Sequence, residues 1–216
     1  NKNIINLNGL PLIAYSINYA KKSKLIDKVI VSTDGEKIAK ISKRFGAEVI
    51  KRPKKFAKDK SSPNEAINHA IKFLEEKMKI DFDVIVFLQP TTPLRKNGEI
   101  DKAISLLIKK KLDTVFSSNN YLPFIWKKIK KKFVPVNCSK KERRRQENFT
   151  VNETGSFYIF TKKSFLKFKN IFGKKMVNFE SEFLSSIMEI DDIHDYNYIN
   201  NLLKTNIPKK YNIFLP

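Results

Sequence analysis

The run Val84-Ile85-Val86-Phe87-Leu88 followed by Gln89-Pro90-Thr91-Thr92-Pro93-Leu94-Arg95 limits the fold more than any other stretch of the chain. Its first half is apolar throughout and rich in β-branched residues. It is short for a helix and reads as a strand covered on both faces, as in a parallel sheet. Pro90 and Pro93 cannot extend a ladder, so the strand ends near Leu88. The chain then leaves the sheet in a stiff turn that presents Gln89, Thr91, Thr92 and Arg95 at a C-terminal strand edge, where open α/β sheets bind their ligands. The same residues also suit an ordinary strand-to-helix loop, with a helix beginning near Asn97.

Strand and helix patterns alternate on either side. After an Asn8-Gly9 turn, Pro11 opens a helix in which Leu12, Ile13, Ser16, Ile17 and Ala20 recur at helical spacing. A strand is expected over 28–32, ended by Thr33-Asp34-Gly35, then a helix over 36–45 closed by Gly46 and a strand over 48–50. Residues 52–62 are polar and aperiodic, long enough to be functional or mobile. A helix over 63–78, the 84–88 strand, a helix over 98–110 and a strand over 114–117 follow. This order predicts a doubly wound, mostly parallel α/β sheet. Beyond Ser118 a two-stranded excursion is expected around Trp126 and Phe133. After it come a strand at 155–160, a short helix near Phe165, an extended stretch at 177–180, a short strand at 187–191 and a closing helix over 192–203. The tail from 208 to 216 reads as an ordered or fraying end. No linker or internal repeat divides the 216 residues, so a single domain is expected.

Hydrophobic content of 41% supports a packed core, and no apolar run approaches a membrane span. Cys138 is the only cysteine, which excludes an internal disulfide framework and suits a reducing, cytoplasmic compartment. His69 and His194 are the only histidines, too few for a histidine metal cluster. The net charge of +21, from 43 Lys+Arg against 22 Asp+Glu, raises the question of nucleic acid or a membrane surface. The basic residues are spread along the chain, and the denser 127–145 stretch interleaves only Trp126 and Phe133. A single-strand binder needs more stacking platforms. A lysine-rich compositional habit is the reading taken, with neither nucleic acid nor membrane as partner; such a field also favours small anionic substrates.

Glu189 and Asp191 stand two apart. In a strand such residues share a face about 6–7 Å apart and can converge on a hard cation such as magnesium, which takes oxygen ligands at about 2.1 Å. The alternative is a solvated strand end, with Asp191 or Asp192 capping the last helix. Ser32-Thr33-Asp34-Gly35 could line a site or merely turn the chain. Arg52, Ser61 and Ser62 bracket the long loop with groups suited to a base or ribose, or are a surface arginine and a helix cap. His69 reads as a packed or exposed helix residue.

These pieces, in their order, resemble the CMP-sialic acid synthetases (acylneuraminate cytidylyltransferases) over nearly the whole chain. The resemblance rests on Lys2-Asn3 followed by Leu7-Asn8-Gly9-Leu10-Pro11, on Val31-Ser32-Thr33-Asp34-Gly35, on Arg52-Pro53 with Ala57 and Asp59, and on Arg145-Gln146. Gly155 with Tyr158 and the late acidic pair extend it, and Gln89-Pro90-Thr91-Thr92-Pro93-Leu94-Arg95 is its most specific part. It implies a nucleotidyltransferase, Rossmann-like fold and a reaction of CTP with a nine-carbon α-keto sugar acid to give the CMP-sugar and pyrophosphate. By that resemblance Lys2 contacts phosphate, and Asn3, Arg52, Ser61 and Ser62 hold the cytidine. Gln89, Thr91, Arg95 and Tyr158 belong to the sugar-acid side. Glu189 and Asp191 hold Mg2+, and Lys2 and Asp191 are the catalytic pair.

The resemblance also implies a homodimer through an inserted lobe at 119–148. It further implies a strand and a glycine-rich phosphate loop ahead of Asn1, so that residues 1–216 alone are expected to be poorly soluble or inactive. Two positions depart from the family pattern: Glu189 where aspartate is usual, and Thr154 where asparagine is usual. An octulosonate-specific relative and a non-catalytic basic binding module are the rival readings.

Overall fold

The computed structural model describes residues 2–57, 62–120, 124–137, 151–181 and 188–216. Asn8 and Gly9, at φ of 48° and 91°, close a tight hairpin between β1 (Asn6–Leu7) and β2 (Leu10–Pro11). A two-residue loop of this kind needs that left-handed pair. Pro11 then stands as the N-cap of α1 (Leu12–Lys22). Its periodicity suggests a one-sided helix, yet eight of its residues are buried. It sits between three apolar clusters, with Leu12 and Tyr15 in one, Tyr19 in the second, and Ile13 and Ile17 in the third.

β3 (Ile30–Thr33) and β4 (Glu48–Lys51) pair in parallel around α2 (Glu36–Arg44), the expected crossover unit. α3 (Pro63–Glu76) leads to β5 (Val84–Phe87), and α4 (Glu99–Lys109) to β6 (Thr114–Asn119). β7 (Trp126–Ile129) and β8 (Lys132–Pro135) form a separate antiparallel hairpin. The chain returns through β9 (Asn152–Thr161), α5 (Lys162–Phe168), β10 (Met176–Glu180), α6 (Ile193–Leu203) and α7 (Ile207–Lys210).

The larger sheet has the order β10-β6-β9-β5. β10 is parallel to β6, while β9 is antiparallel to both of its neighbours. Three strands thus run one way, and β9 is inserted against them. The sheet is doubly wound as expected. Val84 and Val86 join the α4 residues Ile100 and Ile104, whereas Ile85 and Phe87 join Ile67 and Ile71 of α3. Alternate residues of β5 therefore pack helices on opposite faces, which is why the run is apolar throughout.

One expectation changes and one is narrowed. Residues 188–191 form no strand and hold on through one backbone bond, Ile190 N–H to Thr91 O at 2.8 Å. The tail is ordered: Ile213 and Phe214 are buried, and Phe214 N–H donates to Arg95 O at 2.6 Å. Of the lobe expected at 119–148, the described part is the hairpin, whose Trp126, Ile129, Phe133 and Val134 are exposed. Residues 121–123 and 138–150, with Arg145 and Gln146, lie outside the described residues. No helix among the described residues is long and apolar enough to cross a membrane.

Candidate active site

The turn after β5 is built from its prolines and from one arginine. Pro90 and Pro93 end the ladder, and Thr92 N–H closes on Gln89 O at 3.3 Å. Arg95, expected on the sugar-acid side, is instead completely buried. Its Nη2 donates to Gln89 O (2.8 Å), its Nη1 to Ser16 Oγ (3.1 Å) and its Nε to Ser156 O (3.0 Å). Its guanidinium also lies 5.6 Å from the Tyr19 ring centre. Burial pulls its pKa down to about 10, which leaves it charged near neutral pH. Every arm is committed to the protein, so Arg95 is a strut that ties the turn to α1 and β9 and not a ligand contact.

The same turn holds the acidic pair. Thr91 Oγ1 donates to Glu189 Oε1 at 2.7 Å, and Thr91 O accepts from Ile190 N–H. Buried Ile190 anchors the segment, with Glu189 and the exposed Asp191 flanking it. Asp192, not Asp191, caps α6: its side chain accepts from His194 and Asp195 N–H, and Asp195 answers as the second half of a capping box. The Asp191 and Asp192 N–H groups both donate to Asp195 Oδ2 and hold that carboxyl below the usual range. Asp191 is thereby released from capping, and its Oδ1 meets Lys2 Nζ at 3.0 Å. Lys2 and Asp191 are both largely exposed, so their pair contributes little to stability and both remain accessible to ligand.

Lys2 reaches that place because its neighbours bridge two cores. Ile4 packs against the cluster of Ile13, Ile17 and Ala47, and Ile5 against the cluster that includes Leu94 and Ile190. Half-buried Asn3 lies on the same short turn, Lys2–Ile4. The expected phosphate lysine and metal carboxylate, 189 positions apart in sequence, are thus in contact.

Among the described residues no group of three or more His, Cys, Asp or Glu could hold a metal. Two carboxylates suffice for magnesium, which keeps several waters and shares its shell with substrate phosphates. Glu189 and Asp191 supply hard oxygen donors of that kind, and the Lys2 ammonium on Asp191 shows that the position attracts positive charge. The longer Glu189 side chain is oriented by Thr91.

On the other side of the turn, the Gln89 side chain lies over Gly155, which has φ of 68°. A Cβ there would press on the Gln89 amide, with Cδ only 3.2 Å away. Gly155→Ala is expected to cost about 1–3 kcal/mol through its left-handed backbone and to displace Gln89. An unchanged urea midpoint would show that neither constraint holds. Tyr158 packs against Phe87 at a tilt and against Phe172 edge-on, and its hydroxyl donates to Glu153. Burial first, then Glu153 and Glu189, push its pKa well above the ordinary tyrosine value. Buried Thr154 donates to Ser117 Oγ at 2.7 Å. Sequence reasoning missed Glu153 altogether.

The third group lies at the ends of β3 and β4. Arg52 N–H donates to Thr33 O, and its guanidinium faces Asp34 at 3.7 Å, while its buried Nε has no partner among the described residues. His69 sits between Phe56 and Phe73, at ring distances of 5.6 and 6.3 Å. Burial, then Lys55 and Arg52, favour its neutral form. Ser62 caps α3, its Oγ accepting from Glu65 N–H at 3.3 Å while Glu65 Oε2 accepts from Ser62 N–H at 3.1 Å. The Ser62 hydroxyl hydrogen and one lone pair are left for another partner. Ser61 lies outside the described residues.

A family model described as Cytidylyltransferase matches residues 1–214. The chain is 31% identical over 218 residues to the post-translational flagellin modification protein B of Campylobacter coli, covering 94% of this chain and 88% of that one. It is 31% identical over 203 residues to the N-acylneuraminate cytidylyltransferase of Escherichia coli O18:K1:H7 (strain RS218 / NMEC), covering 91% of this chain but 46% of that protein, about half its length. In fold it is similar to the 4-diphosphocytidyl-2C-methyl-D-erythritol synthase of Anaerococcus prevotii DSM 20548. The TM-score is 0.68 at 14% identity, over 94% of this chain and 93% of the other. With the turn, the acidic pair and the lysine converging at one edge of an α/β sheet, the match along almost the entire sequence places this chain in the cytidylyltransferase family.

Proposed function

We propose that the protein activates a nonulosonic, sialic-type acid with CTP, giving the CMP-sugar and pyrophosphate. The observation that carries this reading is the junction of Lys2 with Asp191 and of Thr91 with Glu189, at the end of the Gln-Pro-Thr-Thr-Pro turn of a cytidylyltransferase-family chain. The anomeric hydroxyl attacks the α-phosphorus. A bond to that oxygen forms as the bond to the pyrophosphate oxygen breaks, and the hydroxyl proton passes to solvent.

Such a transfer needs charge neutralisation and in-line positioning more than a covalent nucleophile. Lys2 places an ammonium beside the phosphates, and Asn3, Arg52 and Ser62 hold the nucleoside. Gln89 and Tyr158 face the sugar acid, with Thr91 orienting Glu189. Glu189 and Asp191 would hold Mg2+, which when bound supplies positive charge to the phosphate oxygens. The exposed apolar residues of the β7–β8 hairpin support a homodimer, since an isolated hairpin is marginal in water.

In the test, pyrophosphate release is followed with CTP, ATP, GTP or UTP against a panel of sialic, legionaminic, pseudaminic and octulosonic acids. CTP is expected to exceed the other nucleotides by at least about a hundredfold, because a polar base site leaves its groups unpaired with the wrong base. Equal rates with ATP would overturn the assignment, and turnover with octulosonic acid alone would move it to that substrate.

A further inference from the structure

β9 does not run evenly beside β6. Phe116 stands opposite Tyr158, but two residues on, Ser118 stands opposite Glu153. Two steps along β6 are matched by five along β9, so three extra residues are looped into the strand around Gly155. Ser117 fills the gap, its hydroxyl oxygen accepting from Phe157 N–H at 3.0 Å and from Thr154 Oγ1. Residues five apart in a regular strand point to opposite faces. Here the bulge restores them to one face, because each pairs with a residue of β6 two apart from the other. This is how exposed Glu153 comes to accept the hydroxyl hydrogen of Tyr158.

The direction of that bond has a chemical consequence. A phenol has one hydrogen to give, and Tyr158 gives it to Glu153. What remains is an acceptor-only pair, the phenol lone pairs and an exposed carboxylate, on the same strand whose Gly155 lies under the Gln89 side chain. We propose that Glu153 is a specificity-determining residue, which with Tyr158 selects sugar acids carrying a hydrogen-bond donor, a hydroxyl or amide N–H, at that position. The substrate carboxylate is directed elsewhere by repulsion. This rests on the sugar-acid reading of the Gln89–Tyr158 side.

Glu153→Gln tests it, because the amide oxygen still accepts from Tyr158 while the charge is lost. In the variant the KM for the sugar acid is expected to rise at least tenfold, with the KM for CTP as internal control. The wild type is expected to lose at least tenfold in kcat/KM on one of a set of sugar acids deoxygenated at single positions, and the variant to lose much less. Carbon NMR of tyrosine-labelled protein, with the Tyr158 signal assigned by Tyr158→Phe, is expected to shift on Glu153→Gln and, in the wild type, on addition of sugar acid alone. An unmoved signal in Glu153→Gln, or unchanged sugar-acid KM and discrimination in an active enzyme, would overturn the inference. A Tyr158 signal that responds to sugar acid in a protein without CTP turnover would overturn the proposed reaction and support the acceptor site.

Discussion

Arg95→Ala is expected to lose about 3–5 kcal/mol of folding stability, seen as a lower urea midpoint or as insoluble expression. The loss has two parts. The cavity removes packing against Tyr19 and α1. The larger part is the set of acceptors left behind: Gln89 O, Ser16 Oγ and Ser156 O, each now without its charged donor in a site closed to water. Arg95→Lys should recover only part of the loss, because one ammonium cannot span three acceptors set by a planar fork. Since the strut joins the turn to the β9 bulge, any soluble Arg95→Ala protein should also bind sugar acid poorly. A midpoint shift worth less than about 1 kcal/mol would show that the three bonds merely offset the cost of burying the charge.

Asp191→Asn is expected to lower turnover at least tenfold at limiting magnesium while leaving the circular dichroism and melting profile unchanged. The fold should tolerate it because Asp192 and Asp195, not Asp191, cap α6, and the exposed pair with Lys2 contributes little to stability. The activity should not, because the amide removes one of the two charges able to attract a cation and leaves Lys2 only a neutral acceptor. High magnesium should restore part of the loss. Wild-type turnover at limiting magnesium would reduce Asp191 to a surface partner of Lys2.

Much of this arrangement was legible from one dimension. Helices and strands announce themselves by spacing, so the succession from α1 to β6 was readable within a residue or two. The prolines marked where β5 must stop, and the short spacing of Glu189 and Asp191 marked a possible cation site. Other features had no local signal. The antiparallel insertion of β9 looks, in sequence, like any buried strand, because an apolar run covered on both faces carries no record of direction. Arg95 read as a presented side chain because an arginine in a polar turn is ordinarily solvated. Only the carbonyls of Gln89 and Ser156, 67 positions apart, show that it is enclosed.

The sequence by itself determined the alternation of elements, the place of the turn after β5, and a family resemblance specific enough to name a reaction, because these depend on periodicity, proline chemistry and ordered motifs. Tertiary structure alone decided which polar residues are enclosed and which are left accessible. Asp191 is freed because Asp192 caps, Arg95 is withdrawn because three carbonyl and hydroxyl oxygens surround it, and Glu153 joins Tyr158 because three looped residues reverse the facing of a strand. Each outcome follows from competition for hydrogen-bond partners brought together only by the packed chain.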